Sequence, residues 1–198
     1  MAAFKYFIVY KPYLVLSQFS PVEGKETLAD YFTLPKDVYP IGRLDADSEG
    51  LLLLSNDKAI TEKLLHPRSG HQREYWAQVE GIPTSDALTQ LSKGVSINID
   101  GKNHQTLPAT AVLLSNTPLL PDRDPPIRYR ASIPTSWLSL TLSEGKNRQV
   151  RKMTAAVGLP TLRLVRWRIE KIDAAGMLSG DLIEMGQKEF YHKLKLKG

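Results

Sequence analysis

The amino-acid sequence predicts a single α+β domain. Segments with the composition of strands are mixed with segments of helical spacing, and no regular strand–helix–strand repeat connects them. The chain has 198 residues, which is the size of one domain with room for two lobes. Its longest purely aliphatic run, Leu51–Leu54, is far shorter than the roughly 20 residues of a membrane-spanning helix. We therefore expect a soluble cytoplasmic protein with no membrane partner.

The first half of the chain alternates between predicted strands and short helices. Aromatic and β-branched residues predict a strand over residues 4–10, and a continuous apolar run predicts a strand over 51–55 that is buried on both faces. A third strand is predicted over 73–79, closed by Gly81. Short helices are predicted over 26–32 and 59–65, the second ended by Pro67 before a turn at 68–70.

The second half contains further strands and two helices. Thr84 and Ser85 are good N-caps for a helix that ends at Gly94, and apolar residues at helical spacing predict another helix over 147–157. A proline-rich connection spans 117–126, and residues 187–198 form a basic tail without assigned structure. Strands are predicted over 95–99, 109–114, 136–142, 162–169 and 181–185, with a polar loop between the first two and a bulge at Leu164-Val165.

The positive charge is concentrated in one tract. The chain has a formal net charge of +5 and no cysteine, which excludes a disulfide scaffold, a thiolate zinc site and a cysteine nucleophile. Residues 145–168 hold seven Lys or Arg and no acid, so they carry +7 and the rest of the chain sums to −2. Because this tract also has the pattern of ordered structure, it favours a nucleic-acid-binding surface over an ordinary solvated face.

An acidic segment precedes the apolar strand. Asp45, Asp47 and Glu49 stand at alternate positions before Gly50, as in a calcium-binding loop. The twelfth position of such a loop requires a bidentate glutamate, but here it is Asn56, which disfavours calcium. A magnesium nuclease is disfavoured because no second acidic cluster stands out. A structural role, with Asp45 capping a turn and Arg43 paired to a neighbouring acid, stays open on these residues alone.

Four short motifs resemble those of the RsuA family of RNA pseudouridine synthases. Gly42-Arg43-Leu44-Asp45, followed by Ser48-x-Gly50 and four leucines, is similar to the family's signature. The other three are Lys11-Pro12, Arg73-x-Tyr75 and Gly145-x-Asn147-Arg148-Gln149-Val150-Arg151-x-Met153. They occur in the family's order, which makes the resemblance specific.

The resemblance implies a fold and a reaction. The fold would be a mixed, mainly antiparallel sheet with flanking helices and a central basic cleft. It would form one catalytic domain over 1–198, without the N-terminal S4 domain that many relatives carry. The reaction would isomerise a specific uridine of 23S ribosomal RNA to pseudouridine and needs no cofactor and no metal.

The resemblance also implies which residues act on the uridine. Asp45 would be the catalytic carboxylate, and Tyr75 would pack on the uracil. An ionised, desolvated carboxylate calls for a cationic partner, for which Arg151 is the family-matched candidate. Leu164 would line the uracil pocket, although simple core packing remains open for it.

Further residues are candidates for binding the RNA. Arg43 would occupy the gap left by a flipped base or hold a flanking phosphate, with a structural salt bridge as the alternative. Arg148 and Lys152 would meet phosphates near a helix N-terminus, and Arg163, Arg166 and Arg168 would do so from one face of a strand. The candidates for substrate or RNA binding are Arg43, Lys11, Arg148, Gln149, Lys152, Arg163, Leu164, Arg166 and Arg168.

The expected partner is 23S ribosomal RNA or the assembling large ribosomal subunit, and the expected state is a monomer. Two other functions remain open on the sequence. One is a non-catalytic RNA-binding or ribosome-assembly protein on the same fold. The other, less favoured, is a metal-dependent nuclease.

Overall fold

Strands dominate the described part of the chain, which in this computed structural model comprises residues 4–66, 69–127, 130 and 132–196. The strands are β1 (Tyr6–Lys11), β2 (Tyr39–Pro40), β3 (Glu49–Ser55), β4 (Arg73–Glu80), β5 (Ser96–Ile99), β6 (Lys102–Gln105), β7 (Thr110–Leu113), β8 (Thr135–Leu142), β9 (Thr161–Ile169), β10 (Ile172–Asp173) and β11 (Leu182–Met185). The α-helices are α1 (Lys58–Leu65), α2 (Ser85–Lys93), α3 (Gln149–Ala156) and α4 (Gln187–Lys193), and a 3₁₀ turn spans Leu28–Asp30.

Within these residues, nine strands form one mixed sheet. Its order is β11-β1-β3-β9-β4-β8-β7, with β10 added to β9 and β2 to β3, while β5 and β6 form a separate hairpin. The β3–β9 pair is parallel and the other strand pairs are antiparallel. The α+β prediction is therefore confirmed.

The parallel pair at the centre of the sheet depends on a glycine. Gly50 has a φ of 98°, and a Cβ at this position would lie 2.4 Å from the backbone oxygen of Arg166. No side chain fits in that space, so glycine lets β3 approach β9 closely. All seven residues of β3 are buried, as the apolar run predicts for a strand covered on both faces.

Helices and loops cover the sheet with three apolar clusters. One cluster joins β1 and β3 to α1 and α4, through side chains such as Ile60 and Phe190. A second joins β4, β8 and β9 to α2 and α3, and a third packs the segment 15–38 on the other face of β1 and β3. The β1–β3 half of the sheet is thus covered on both faces, and β9 contributes residues to both the first and the second cluster.

Most predicted elements occur within two or three residues of their predicted bounds, but five predictions were wrong. The 26–32 helix is only the 3₁₀ turn, and the polar loop after Ile99 contains β6, which pairs with β5. The tail forms α4, because Phe190 and Leu194 are fully buried against the sheet. The helix predicted from Asn147 starts at Gln149, since Arg148 has a left-handed φ of 51°.

The fifth error concerns β9. Its register against β4 skips Leu162 and Trp167, so the irregularities lie there and not at Leu164-Val165. This change decides which arginines share a face of the sheet. The predicted stop at Pro67 and the first residue of the predicted turn, Arg68, lie outside the described residues.

Candidate active site

A cleft of about 670 Å³ opens at the centre of the sheet. Its wall is formed by the loop that precedes β3, the start of β4, the segment between β8 and α3, and the side chains of β9. Asp45, Tyr75 and Leu164, all predicted to meet the substrate, line this one cleft.

The loop that carries Asp45 is tied to the segment after β1. The Ser17 hydroxyl donates to the Leu44 carbonyl at 2.8 Å and accepts from the Leu44 amide at 3.0 Å. The Leu14 amide donates to the Ala46 carbonyl at 2.7 Å. These bonds surround Asp45 in sequence and hold its backbone, while its side chain remains 37% exposed toward the cleft.

Lys11 supports this loop from inside and does not face the cleft, so its assignment as an RNA-binding residue is wrong. The side chain is fully buried. Its ammonium donates to the carbonyls of Pro12 and Val15 at 2.7 Å each and to that of Ala46 at 3.3 Å. Burial lowers the pKa of Lys11 to about 7. With its donors directed at three carbonyls, Lys11 joins the first motif to the aspartate loop.

The arginine nearest to Asp45 is Arg148, not Arg151. Arg148 Nη1 lies 3.7 Å from Asp45 Oδ2 and donates to Asp47 Oδ1 at 3.0 Å, while Nη2 donates to Asp47 Oδ2 at 2.8 Å. Arg151 Nη2 donates to the Asp47 backbone carbonyl at 2.6 Å, and its Nε lies 3.4 Å from Asp47 Oδ2. The predicted Asp45–Arg151 pair is therefore absent from the described contacts, because Asp47 holds Arg151.

Asp47 is a functional candidate that the sequence interpretation missed. Burial raises its pKa, but hydrogen bonds from Arg148 and the charges of Arg151 and Arg148 outweigh this effect and hold the pKa below its ordinary value. Burial likewise lowers the pKa of Arg151, opposed by the charge of Asp47. The alternate spacing of Asp45 and Asp47 was the available signal, since it places both carboxylates within reach of Arg148.

Two residues of β9 and one of β4 form the inner wall of the cleft. The strand register places Tyr75 opposite Arg166 and Ala77 opposite Leu164, so Tyr75, Leu164 and Arg166 share a face. Arg166 is 5% exposed, and its Nε donates to the Leu51 carbonyl at 2.7 Å. Burial lowers the pKa of Arg166, and the neighbouring Tyr75 hydroxyl partly offsets this.

The other two arginines of β9 lie on the opposite face, so the prediction of three on one face is wrong. Arg163 pairs with Gln78 and Arg168 with Glu74 in the register, on the side of β4 away from Tyr75. Arg163 is 8% exposed and forms a bidentate ion pair with Glu49, at 2.8 and 2.9 Å. Arg168 donates to Glu74 at 2.7 Å. Their donors are used within the protein, which argues against phosphate contacts.

Gln149 and Lys152 also differ from their predicted roles. Gln149 is buried in the cleft wall, where its amide donates to Glu144 at 2.7 Å and accepts from the Lys146 amide at 2.9 Å. It therefore shapes the loop before α3. Lys152 is half-buried and is not part of the cleft lining.

The charge of the cleft is mainly positive. Its lining contains two carboxylates, those of Asp45 and Glu144, and five Lys or Arg side chains. The cations are Arg43, Arg73, Lys146, Arg148 and Arg166. Arg73 and Lys146 lay inside recognised motifs, but their spacing gave no reason to single them out. Because Arg73 follows β-strand alternation with Tyr75, the pattern could have placed both on one face.

Two observations limit other kinds of site within the described ranges. No group of three or more His, Asp or Glu side chains is arranged to hold a metal ion there. None of the described helices is long and apolar enough to cross a membrane.

Comparison with known proteins adds similarity over most of the chain. Residues 5–156 match the model of a family described as RNA pseudouridylate synthase. Ribosomal large subunit pseudouridine synthase E of Vibrio parahaemolyticus is 47% identical over 181 residues, which cover 91% of this chain and 74% of that protein. The Xanthomonas axonopodis protein of the same name is 51% identical over 172 residues, covering 83% and 88%. Ribosomal large subunit pseudouridine synthase B of Bacillus subtilis is 37% identical over 185 residues, covering 93% and 69%.

Solved structures show the same fold. A crystal structure of a pseudouridylate synthase superimposes with a TM-score of 0.78 at 24% identity, over 98% of this chain and 75% of that one. Human RNA pseudouridylate synthase domain containing 1 gives a TM-score of 0.60 at 13% identity, over 100% and 94%.

Proposed function

Because this chain belongs to the RNA pseudouridylate synthase family, we propose that it converts one uridine of 23S ribosomal RNA to pseudouridine, with Asp45 as its catalytic carboxylate. The observation that carries the proposal is the shared cleft: Asp45 and Tyr75 line one cavity whose charged groups are mainly cationic. The positive charge of this lining attracts a polyanion such as RNA. The Asp45 carboxylate does not contribute to that attraction, and a role in the reaction explains its presence.

The isomerisation changes the uracil atom that is bonded to ribose C1′ from N1 to C5, without loss of mass. The bond between uracil N1 and ribose C1′ breaks, the base rotates, and a bond forms between C5 and C1′. The C5 proton leaves and N1 gains a proton. Asp45 acts either by attacking C1′ or by removing a ribose proton to give a glycal, and both routes require the ionised carboxylate.

Asp47 and Arg148 supply the electrostatic surroundings of Asp45. The Arg148 guanidinium stands 3.7 Å from the Asp45 carboxylate and is fixed by two hydrogen bonds to Asp47. Bidentate pairing fixes the plane of a guanidinium, so the positive charge stays beside Asp45. Arg151, held on the other side of Asp47, adds a second positive charge close by.

The target base must leave the RNA stack to reach Asp45, at a cost of a few kcal/mol. Leu164 and Tyr75 offer an apolar and an aromatic surface within the cleft for the extruded uracil. The exposed side chain of Arg43, two residues before Asp45, is placed to meet the flanking backbone. We assign the substrate as 23S ribosomal RNA or the assembling large subunit, and the protein as a cytoplasmic monomer.

The two other functions considered from the sequence receive no support from the relatives, which carry the names of pseudouridine synthases. The direct test is Asp45→Asn, which keeps the shape of the side chain and removes its charge. We expect pseudouridine formation on a 23S ribosomal RNA transcript to fall about 10²–10⁴-fold, while RNA affinity is kept. Carbodiimide mapping of the product and filter binding would measure the two quantities.

The matched control is Asp122→Asn, an exposed aspartate that is not part of the cleft lining. It should convert the transcript at the wild-type rate. Normal turnover by Asp45→Asn would remove this residue from the chemistry. If the wild-type chain binds the transcript and leaves every uridine unchanged, a non-catalytic RNA-binding role replaces the enzyme.

A further inference from the structure

Arg166 is buried within the protein and yet forms part of the cleft wall. It is 5% exposed, and it lines the cleft together with Asp45 and Tyr75. Burial of a guanidinium is costly unless its donors are paired. Which of its donors are paired within the protein therefore indicates whether Arg166 is structural or binds a ligand.

The guanidinium is anchored through Nε and also interacts with the Tyr75 hydroxyl. Nε donates to the Leu51 carbonyl across the β3–β9 pair, at 2.7 Å. The backbone of Arg166 is fixed by its close contact with Gly50. Nη2, by contrast, is buried and has no hydrogen-bond partner among the described residues. An unpaired buried donor in the wall of a binding cleft is a candidate for pairing with the ligand.

The position of Arg166 favours a base over a phosphate. Its neighbours in the cleft wall are Leu164 and the ring of Tyr75, which offer surfaces for a flat, largely apolar group. A cation that remains accessible to a phosphate lies at the rim, where the side chain of Arg43 is exposed. A phosphate that reached Arg166 would have to lose the water around its negative charge, which is costly. A uracil carbonyl is neutral and costs less to desolvate.

Resting on the proposed function, we propose that Arg166 Nη2 donates a hydrogen bond to a carbonyl oxygen, O2 or O4, of the target uracil. The residue then reads the base itself and not the RNA backbone. The hydrogen bond from Nε to the Leu51 carbonyl positions the guanidinium of Arg166, and the ring of Tyr75 fixes the plane of the uracil beside it. A bond to O4 would also select against cytosine, which presents an amino donor at that position.

The test replaces single oxygens of the base. A synthetic fragment of 23S ribosomal RNA, containing the uridine that the wild-type chain converts, would carry uridine, 2-thiouridine or 4-thiouridine at that position. Sulfur is a poorer acceptor than oxygen. For the wild-type chain, we expect one of the two sulfur substitutions to lower kcat/KM about tenfold or more, because hydrogen bonds to charged donors are strong.

Arg166→Met keeps the aliphatic stem and removes the donors. In this variant the same sulfur substitution should change kcat/KM less than about twofold, since no donor is left to sense it. Arg130→Met is the control, because Arg130 is an exposed residue paired with Glu80 outside the cleft lining. It should keep the full sulfur effect. Far-UV circular dichroism and thermal melting would establish that each variant is folded.

Each outcome decides the proposal. A sulfur effect at O2 or O4 that disappears in Arg166→Met supports it and identifies the atom. Equal sulfur effects in the two chains overturn it, as do wild-type rates that change less than twofold with either sulfur. The second result needs no variant, so it holds even if Arg166→Met does not fold. If the wild-type chain converts no uridine at all, the proposed function fails and this inference fails with it.

Discussion

The two faces of β9 use the same residue type for different purposes. On one face, Arg163 and Arg168 direct their donors to Glu49 and Glu74 and stabilise the contacts between strands. On the other face, Arg166 lines the cleft, and its buried Nη2 has no hydrogen-bond partner among the described residues. The difference shows that a basic tract indicates a binding surface only where its donors are not already used within the protein. Substitutions on the two faces should therefore have different consequences.

Arg163→Met tests the structural face. It leaves the Glu49 carboxylate buried without its partner, which should lower the free energy of unfolding by about 3–5 kcal/mol. Urea denaturation followed by circular dichroism would measure this loss. Combining Arg163→Met with Glu49→Leu should recover much of the stability, because neither charge of this ion pair remains. A stable single variant would show that the pair does not support the fold.

Gly50→Ala tests the strand contact that positions Arg166. The new Cβ would meet the Arg166 backbone oxygen at 2.4 Å and would require a positive φ, so we expect a loss of about 3 kcal/mol or more. Gly176→Ala is the control, since Gly176 also has a positive φ but has open space around it. It should lose only about 1 kcal/mol. Equal losses would mean that backbone conformation, and not the close approach of β3 and β9, accounts for the effect.

Asp47→Asn tests the group that holds the cleft arginines. The neutral amide cannot form the paired contact with Arg148, so kcat should fall about tenfold, or about 1.4 kcal/mol, with a smaller change in stability. Single-turnover assays on the RNA transcript would measure the rate. Asp37→Asn, at an exposed aspartate bonded to Asn56, provides the comparison and should react normally. An unaffected Asp47→Asn rate would indicate that Arg148 needs no positioning.

Arg43→Gln tests the exposed rim of the cleft. If Arg43 neutralises one phosphate, the slope of log affinity against log salt should become shallower by about 0.7–0.9. Binding titrations between low and moderate salt would give the slope. Lys36→Gln, an exposed residue outside the cleft lining, should leave it unchanged. Identical slopes for both variants would place the RNA backbone elsewhere.

The pH dependence of stability tests Glu74 on the structural face. Burial raises its pKa, but hydrogen bonds from Ser139, Trp76 and Arg168 outweigh this and hold the pKa below the ordinary value of 4.5. A lowered carboxyl pKa means that the unfolded chain binds the proton more readily. The contribution of Glu74 is therefore complete above pH 4.5 and is lost as the pH falls through the folded-state pKa. Thermal melts of wild type and Glu74→Gln should converge as the solution is acidified, and a constant difference between them would contradict this assignment.

The sequence was sufficient for the fold class and for bringing Asp45, Tyr75 and Leu164 into one cleft. Strand alternation and helical spacing were enough for the fold class, whereas the shared cleft was implied by the resemblance of the four motifs to a known family. The sequence was not sufficient for the arginines. The faces of β9 depend on irregularities at Leu162 and Trp167, which arise from pairing with β4. The ion-pair partner of Arg151 depends on how the aspartate loop meets α3 across more than 100 residues.

The amphipathic tail was missed for a related reason. Its basic residues suggested a solvated end, but Phe190 and Leu194 are buried in the cluster beneath β1 and β3. With so few turns, the helical period is weak in the sequence, and tertiary packing decides the structure.

Cells that lack the protein would show whether Asp45 in this cleft forms pseudouridine in ribosomal RNA. Pseudouridine would be mapped across 23S ribosomal RNA in these cells, and again after they are supplied with the wild-type chain or with Asp45→Asn. We expect that one site disappears and that only the wild-type chain restores it. An unchanged map, or restoration by Asp45→Asn, would contradict it.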